Sequence, residues 1–501
     1  MTSKSNSPND AHNDEHLRAN QLGVWSIVFF VVAAAAPLVG MTGALPPAIV
    51  LGIGAAAPGG YLVVGLTLLL FSVGYAAMSH RVTNAGAFFA YIGRGLGQKF
   101  GFASAFVSIL AYLAIQWCLY GFLGGLIASQ FGLLPWWAWS ALAWMLVTLL
   151  SLTKVDIGAK VLGVLILAEL MCLLTTSIAI LSNGGPEGLN FAASLNPAAI
   201  FAGGLNGSAG IALAFAFASF IGFEATAIYG EESKDPKTTV PRATYLSVCV
   251  ITFLFALTSF AVVTGLGASK VVEQVLALTT IDKVPLTDPS AVLFHLARQY
   301  VGAWMANLMS ILVLSSLFAG LLAFQNSASR YFFALSRAGA LPAALGHVNR
   351  QGAPAKASLL TSALGATVIA VFALAGLDPI LHLFFWFSGV SVVAIVLIEI
   401  LVCVAVLSYF GRNAGTEGLF VTKIAPTLAA IGLVLGEYLL MSRFGLLAGT
   451  VAEGVDPTVT PWGLSALGWS LVLAPFAVFV FGLIFAQRQK ADPALVEDFL
   501  T

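Results

Sequence analysis

The stretch Ala36-Pro37-Leu38-Val39-Gly40-Met41-Thr42-Gly43-Ala44-Leu45-Pro46-Pro47 decides the fold. It lies inside an apolar run that starts at Leu22 and continues for about 30 residues, when about 20 suffice to cross a bilayer. Proline removes a backbone donor and clashes with the preceding turn, so this run cannot be one regular helix. Hydrocarbon offers no water to satisfy the freed groups, and such a break survives only against protein or a cavity. A second interruption, Ser219-Phe220-Ile221-Gly222-Phe223-Glu224, lies in another apolar run 182 residues further on (222 minus 40). Two broken spans in corresponding parts of a chain point to a transporter site. The competing reading of each break alone is a kink in a packed helix with glycines for close approach.

Composition agrees with a membrane interior. Charged residues are 9% and hydrophobic ones 59%, against about 25% charged in soluble domains, too few charges to wet a soluble surface. Twenty-two basic and 22 acidic residues cancel, which removes an electrostatic case for nucleic acid. Cys118, Cys172, Cys249 and Cys403 fall in apolar runs without metal-ligand spacing and read as packing residues.

The expected fold is an all-α polytopic membrane protein with twelve transmembrane helices. The spans are 22–54, 60–79, 101–129, 136–153, 157–182, 207–230, 243–266, 301–328, 357–376, 380–409, 422–442 and 463–487. A polar lead (1–20) is expected to be disordered and cytosolic, with no cleavable signal because the first apolar run is too long for one. Residues 21–410 form a ten-helix core, 411–488 add two further helices, and 489–501 are a cytosolic tail. Ala85 to Phe100 is expected to lie along the membrane surface. With the N-terminus inside, only Lys270, Lys283, Arg298 and Arg443 of the 22 basic residues fall outside, the bias expected of cytoplasmic loops. Both termini are therefore placed in the cytoplasm, and the short loops suit a prokaryotic inner membrane. The outer loop from about Leu266 to Tyr300 is long enough to fold over an entrance.

The breaks define the expected site. Amides near Gly40 to Gly43, at the start of a half-helix, suit a carboxylate. Carbonyls around Ala36 to Val39 and Phe220 to Gly222 suit an ammonium group or a cation. A site with both fits a zwitterion. Glu224, directly after the second break, is an acid that membrane depth makes costly; it reads as a gate, a cation contact or a proton carrier, or else as a structural acid. Glu169, in mid-span with no basic residue within a turn, is a coupling candidate. Phe220 and Phe223 are gate candidates, and Gln116 is a lining group, with Trp117 and Tyr120 beside it and Gln325 and Asn326 in the eighth span. Ser315 and Ser316 could offer hydroxyls to a sodium ion, or bond back to their own helix. Glu399 and Glu437 read as wetted or packing acids near helix ends.

Three stretches carry a resemblance to a known family: Gly40-Met41-Thr42-Gly43, then Phe220 to Glu224 with the loop Glu231 to Arg242, and Ser329-Arg330 with Ser336 to Pro342 and Pro354. Over about residues 20 to 410 the chain resembles the amino acid–polyamine–organocation superfamily of secondary transporters. The resemblance implies a five-plus-five inverted repeat with helices 1 and 6 broken, plus two C-terminal helices. It also implies alternating access around a midplane site. In that frame the Gly40 to Gly43 amides bind the substrate carboxylate, carbonyls near Phe220, Ile221 and Gly222 bind its amine, and Glu224 sits at an inner gate or polar contact. The family's first break is commonly a tighter Gly-x-Gly, whereas Met41 and Thr42 separate the glycines here.

The function expected is cation-coupled uptake of an amino acid, driven by a proton or sodium. The alternative is transport of a polyamine or other organic amine, or amino acid exchange. No cofactor and no enzymatic activity are expected; the partners are the substrate, the coupling ion and the lipid bilayer.

Overall fold

The computed structural model describes residues 22–81, 88–152, 156–228, 233–349, 352–413 and 417–488, with backbone alone for 156–162 and 228. The lead 1–20 and the tail 489–501 lie outside the described residues. The main helices are α1 (Val24–Ala35), α2 (Ala57–Ser79), α3 (Phe88–Leu96), α4 (Gln98–Phe131), α5 (Trp136–Ser151), α6 (Asp156–Asn183), α7 (Ala209–Phe220), α8 (Pro236–Leu266), α9 (Val271–Thr279), α10 (Ala291–Tyr300), α11 (Ala303–Arg337), α12 (Ala355–Leu374), α13 (Phe385–Arg412), α14 (Ala425–Ser442) and α15 (Ala466–Arg488). Among the described residues only isolated bridges, such as Leu22 with Ser233, pair extended backbone.

Among the described residues ten helical runs are long and apolar enough to cross a membrane, and the chain is an all-helical polytopic membrane protein. The difference from twelve has two sources. Val24–Ser79 is one run of 56 residues, about 84 Å at helical rise and over twice the hydrocarbon thickness. It is not straight: Gly52 (φ −103°, ψ −114°) and Gly54 (φ 57°, ψ −128°) leave helical geometry between its halves. The second source is Trp136–Ser151, which has only 16 residues, about 24 Å.

Helix α3 departs from expectation. Phe88, Phe89, Ala90, Tyr91 and Ile92 are all buried, and the helix packs between α4 and α13 instead of lying on a surface. Its five apolar residues in succession leave only Arg94 exposed, and Gly95 lets the Ala405 backbone approach to where a Cβ would stand 2.4 Å from its carbonyl oxygen. The polar residues that suggested a surface helix, Gln98 and Lys99, belong to the start of α4.

The loop after α8 folds into α9 and α10. Helix α9 packs on residues 48–53, and α10 packs on α6, α11 and residues 40–44. The second half of the first broken span is thus covered by this loop.

Candidate substrate site between two broken helices

Both breaks are present, and they touch. Helix α1 ends at Ala36, which adopts the left-handed region (φ 43°, ψ 67°), and Pro37 starts a new turn in which Gly40 N–H bonds Ala36 O at 3.0 Å. The Leu38 and Val39 amides precede that first bond, so they are the unpaired donors of the second half-helix. The discontinuity therefore falls three to four residues before the glycine pair. Gly40–Ala44 is a π-helical turn, the kind of irregularity that collects at functional sites, and Thr42 Oγ1 bonds back to Leu38 O at 2.7 Å.

In the second break Ile221 turns extended (ψ 127°) and Gly222 takes φ 117°. A Cβ on Gly222 would lie 2.7 Å from Ala34 Cβ and 3.2 Å from Ala35 N. Glycine is needed here on two counts, backbone and contact.

Between the breaks lies a cavity of about 40 Å³. Ala34 to Ala36, Val39 and Gly40 line it from the first span, and Ala218, Ser219 and Ile221 from the second. Ile115, Cys118 and Leu119 of α4 and Phe324 of α11 complete the wall. Phe215, Phe384 and Ser388 lie on another side. There Phe122 meets Phe384 at 5.0 Å and Phe215 meets Phe385 edge-on at 5.9 Å. Phe385 also lines a larger cavity of about 420 Å³ bounded by Leu51, Leu286, His382, Trp386 and residues 446–451. Phe384 and Phe385 separate the two spaces.

Glu224 is fully buried beyond the second break. Its Oε2 accepts from Gly222 N at 2.8 Å and its Oε1 from the Tyr112 hydroxyl at 3.0 Å. Its carbonyl accepts from the Tyr75 hydroxyl at 2.7 Å. Tyr75 packs on Tyr91 of α3 (5.2 Å), and Tyr112 on Tyr331 of α11 (5.5 Å). A carboxylate, four tyrosines and the buried α3 thus form one packed cluster next to the second break.

Of the residues expected at the site, Val39, Gly40 and Ile221 line the cavity, and Gly222 supports it from behind. Met41, Thr42, Gly43, Phe220 and Gln116 are outside the lining. Phe220 packs edge-on against Phe255 of α8 and Phe223 against Phe71 of α2. Gln116 points to α11 and donates to Gln325 Oε1 at 2.7 Å. Gln325 in turn donates to Ser358 O and Ser362 Oγ of α12.

Glu169 is buried, with Oε2 unbonded among the described residues. Ser316 of α11 faces its carboxyl, although the contact falls short of bonding geometry. Ser315 bonds its own helix at Leu312 O (2.8 Å), since adjacent helical residues point about 100° apart. The Glu169–Ser316 pair belongs to the α6–α11 seam on which α1 packs, away from the cavity lining.

Sequence reading missed Phe215, Phe384, Ser388, Tyr75 and Tyr112. The available signal for Phe384 was Asp378-Pro379: Asp378 caps the π-helical turn Pro379–Phe384, accepting from Ile380 N and Leu381 N at 2.8 and 2.7 Å.

Comparison with known families adds to this geometry. Residues 27–433 match the amino acid permease family model, which spans both breaks, Glu224, Glu169 and the α13 residues. This chain belongs to the amino acid permease family. Among relatives, an uncharacterized transporter of Legionella pneumophila is 29% identical over 188 residues, 37% of each chain. An amino-acid permease of Candida albicans is 24% identical over 422 residues, covering 78% of this chain and 63% of its own length. The aromatic amino acid transport protein of Escherichia coli is 24% identical over 351 residues, 67% of this permease and 72% of the relative. The chain thus spans less than two thirds of the length of the first two.

Proposed function

We propose that this permease carries an amino acid with an apolar side chain across a cell membrane by alternating access. The observation that carries the reading is the meeting of the two broken helices at one cavity. There Val39 lines the cavity, and its amide, in the first turn of the half-helix, is the donor assigned to a carboxylate. The backbone around Ala218 to Ile221 supplies carbonyls for an ammonium group. The rest of the lining is mostly alanine, valine, isoleucine, leucine and phenylalanine, with Gly40, Cys118 and Ser388, a wall that suits an apolar side chain. A relative named for aromatic amino acid transport agrees with that class. A polyamine would need carboxylates in the wall, and the lining holds none.

The transport core is proposed as ten spans in an inverted five-plus-five repeat, with α14 and α15 added after it. Counting the two halves of Val24–Ser79 separately and including Trp136–Ser151 brings the spans to twelve, with both termini cytoplasmic and the protein in the inner membrane of a prokaryote. On that count α3 and the tyrosines stand on the cytoplasmic side and the aromatic pair Phe384–Phe385 on the outer side. Glu224 acts as the inner gate: its two hydrogen bonds tie the second break to α4, and they must break for the inner path to open. Coupling to a cation is assigned to Glu169 with Ser316, because α1 must slide on that seam when it rocks.

The test is thermal stabilisation of the purified protein by a panel of amino acids and amines, with and without sodium. A ligand that binds only the folded state raises the melting temperature, by about 2.7 kcal/mol of stability at a hundred times its dissociation constant. Leucine-like and aromatic amino acids are expected to stabilise; stabilisation by amines alone overturns the reading. In proteoliposomes, Glu224→Gln should abolish counterflow while expression stays normal.

A further inference from the structure

Two acids stand apart from the site described so far. Glu399 of α13 and Glu437 of α14 are 2% and 7% exposed. Glu399 Oε2 and both carboxyl oxygens of Glu437 accept no hydrogen bond among the described residues. Neither position is a wetted helix end. Glu399 is 13 residues from Arg412 and Glu437 is 12 from Ala425, about 20 and 18 Å along their axes, so the two stand at similar depth on packed neighbours. Glu399 is also in electrostatic reach of both Glu224 and Glu437. Helix α13 packs on α14 and on α7, which leads into the second break, so Glu399 stands on the helix between the other two acids and the three make a row.

The surroundings set how charge divides in that row. Tyr75 and Cys403 are in reach of Glu399. Tyr91, Tyr112 and Tyr331 stack toward Tyr75 and Glu224, and Tyr438 follows Glu437 on α14. The basic side chains on the elements packed around the row are Arg94, Lys99, Arg412, Lys423 and Arg488 at helix ends, His80 and Arg81 after α2, Lys237 and Arg242 on α8, and Arg337 and the buried Arg330 on α11. Arg443, past the far end of α14, is held by the carbonyls of Asn206, Gly207 and Pro457. His382 belongs to the outer cavity. Among the described residues no ion pair joins Arg94, Lys99, Arg412, Lys423, Arg488 or Arg443 to the row, and Arg81 pairs with Glu417. Glu224 has two donors aimed at its oxygens and can carry charge; among the described residues Glu399 Oε2 and both Glu437 oxygens have no donor, and no ion pair reaches either acid. A buried carboxylate without either is far costlier than a neutral acid.

We propose that Glu399 and Glu437 are proton carriers for the transport cycle, a reservoir beside the substrate path that supplies Glu224. The inference rests on the transport reading. When the second break rearranges, Glu224 loses the Tyr112 and Gly222 donors that stabilise its charge. A proton then passes from the Glu399 carboxyl to the Glu224 carboxylate, leaving the charge on Glu399, and Glu437 exchanges with Glu399 in the same way. No net charge enters or leaves the row in these steps. The row ends at Glu437, beside the exposed Val434 and Tyr438, and its protons exchange through Glu224.

Glu399→Gln and Glu437→Gln keep size and remove the proton site. Two readouts decide. In infrared spectra of the purified full-length protein at pH 7, each variant is expected to lose part of the carbonyl band of protonated carboxyl groups; an unchanged band in both overturns the proposal. In proteoliposomes, an acid-outside gradient is expected to accelerate leucine uptake by the wild type. Each variant should cut that acceleration about tenfold, within the usual range of coupling energies, and keep leucine counterflow within about twofold. Full acceleration in both variants overturns the proposal. If the wild type shows no counterflow of any amino acid, the transport reading fails and the infrared band alone decides whether these acids hold protons.

Discussion

Gly222 stands against Ala34 so closely that the two broken helices share one contact point. A methyl group at residue 222 would come within 2.7 Å of Ala34 Cβ, and the Gly222 backbone has φ 117°. Gly222→Ala meets both obstacles. Left-handed backbone costs an ordinary residue about 1–2 kcal/mol, and overpacking adds about 1–3 kcal/mol. The variant is expected to melt earlier than the wild type and to lose amino acid counterflow altogether, because the breaks cannot separate and meet again. Wild-type melting and flux in Gly222→Ala would show that the breaks are not in contact.

Tyr112 supplies one of the two donors to Glu224, at 3.0 Å. Hydrogen bonds to charged groups contribute about 1.5–3 kcal/mol. Tyr112→Phe keeps the ring that packs on Tyr331 and removes only the hydroxyl. Leucine transport is expected to fall about tenfold or more, with expression little changed and melting lowered by the lost bond. A rate within twofold of wild type would remove the gate role from this bond.

The cavity is small, so added volume should act on the largest substrates first. Ala218 lines it, and one methylene is worth about 1–3 kcal/mol of discrimination in an apolar pocket. Ala218→Val should weaken competition by aromatic amino acids more than competition by alanine. Equal weakening of all would mean that substrate side chains point elsewhere.

The breaks were legible because proline and glycine act locally: Pro37 and Gly222 interrupt a helix whatever surrounds them. The exact donors were not, since the turn was set by Ala36 adopting left-handed backbone, which alanine does not advertise. Phe384 and Ser388 were missed because a helix apolar all round gives no face to read, and only packing decides which residues meet a cavity. The same blindness left Glu399 and Glu437 open between wetted and packing acids, and burial excludes the wetted alternative. Gln116 was correctly seen as an interruption, but a sequence cannot tell whether such a side chain turns to the substrate or to Gln325 on the next helix.

At the membrane surface, Arg81 pairs with Glu417, and the guanidinium holds the Glu417 carboxyl below the usual carboxylate range, which for glutamate is about 4.3. The sign follows from linkage: the pair stabilises the fold above that value and loses its effect as pH falls through the lower folded value. Both side chains are partly exposed, and exposed pairs contribute under about 1 kcal/mol. Glu417→Gln should therefore melt slightly below wild type at pH 7, with the gap shrinking in acid and in high salt.

The bond between Gln116 and Gln325 offers a sharper energetic test. Gln325 Nε2 also reaches Ser358 O at 2.8 Å and Ser362 Oγ at 2.9 Å, and Ser362 Oγ accepts from Thr148 of α5. Four helices are joined through one amide. Gln325→Leu strands the Gln116 amide in an apolar interior, which costs about 1–3 kcal/mol for the unpaired group. Gln116→Leu added to it removes the stranded amide as well, so the double variant is expected to melt above Gln325→Leu. Because the Ser358 and Ser362 contacts stay lost, it should still melt below the wild type. A double variant that simply adds the two single losses would mean that Gln116 finds another partner, with its unbonded Oε1 turned toward Tyr120.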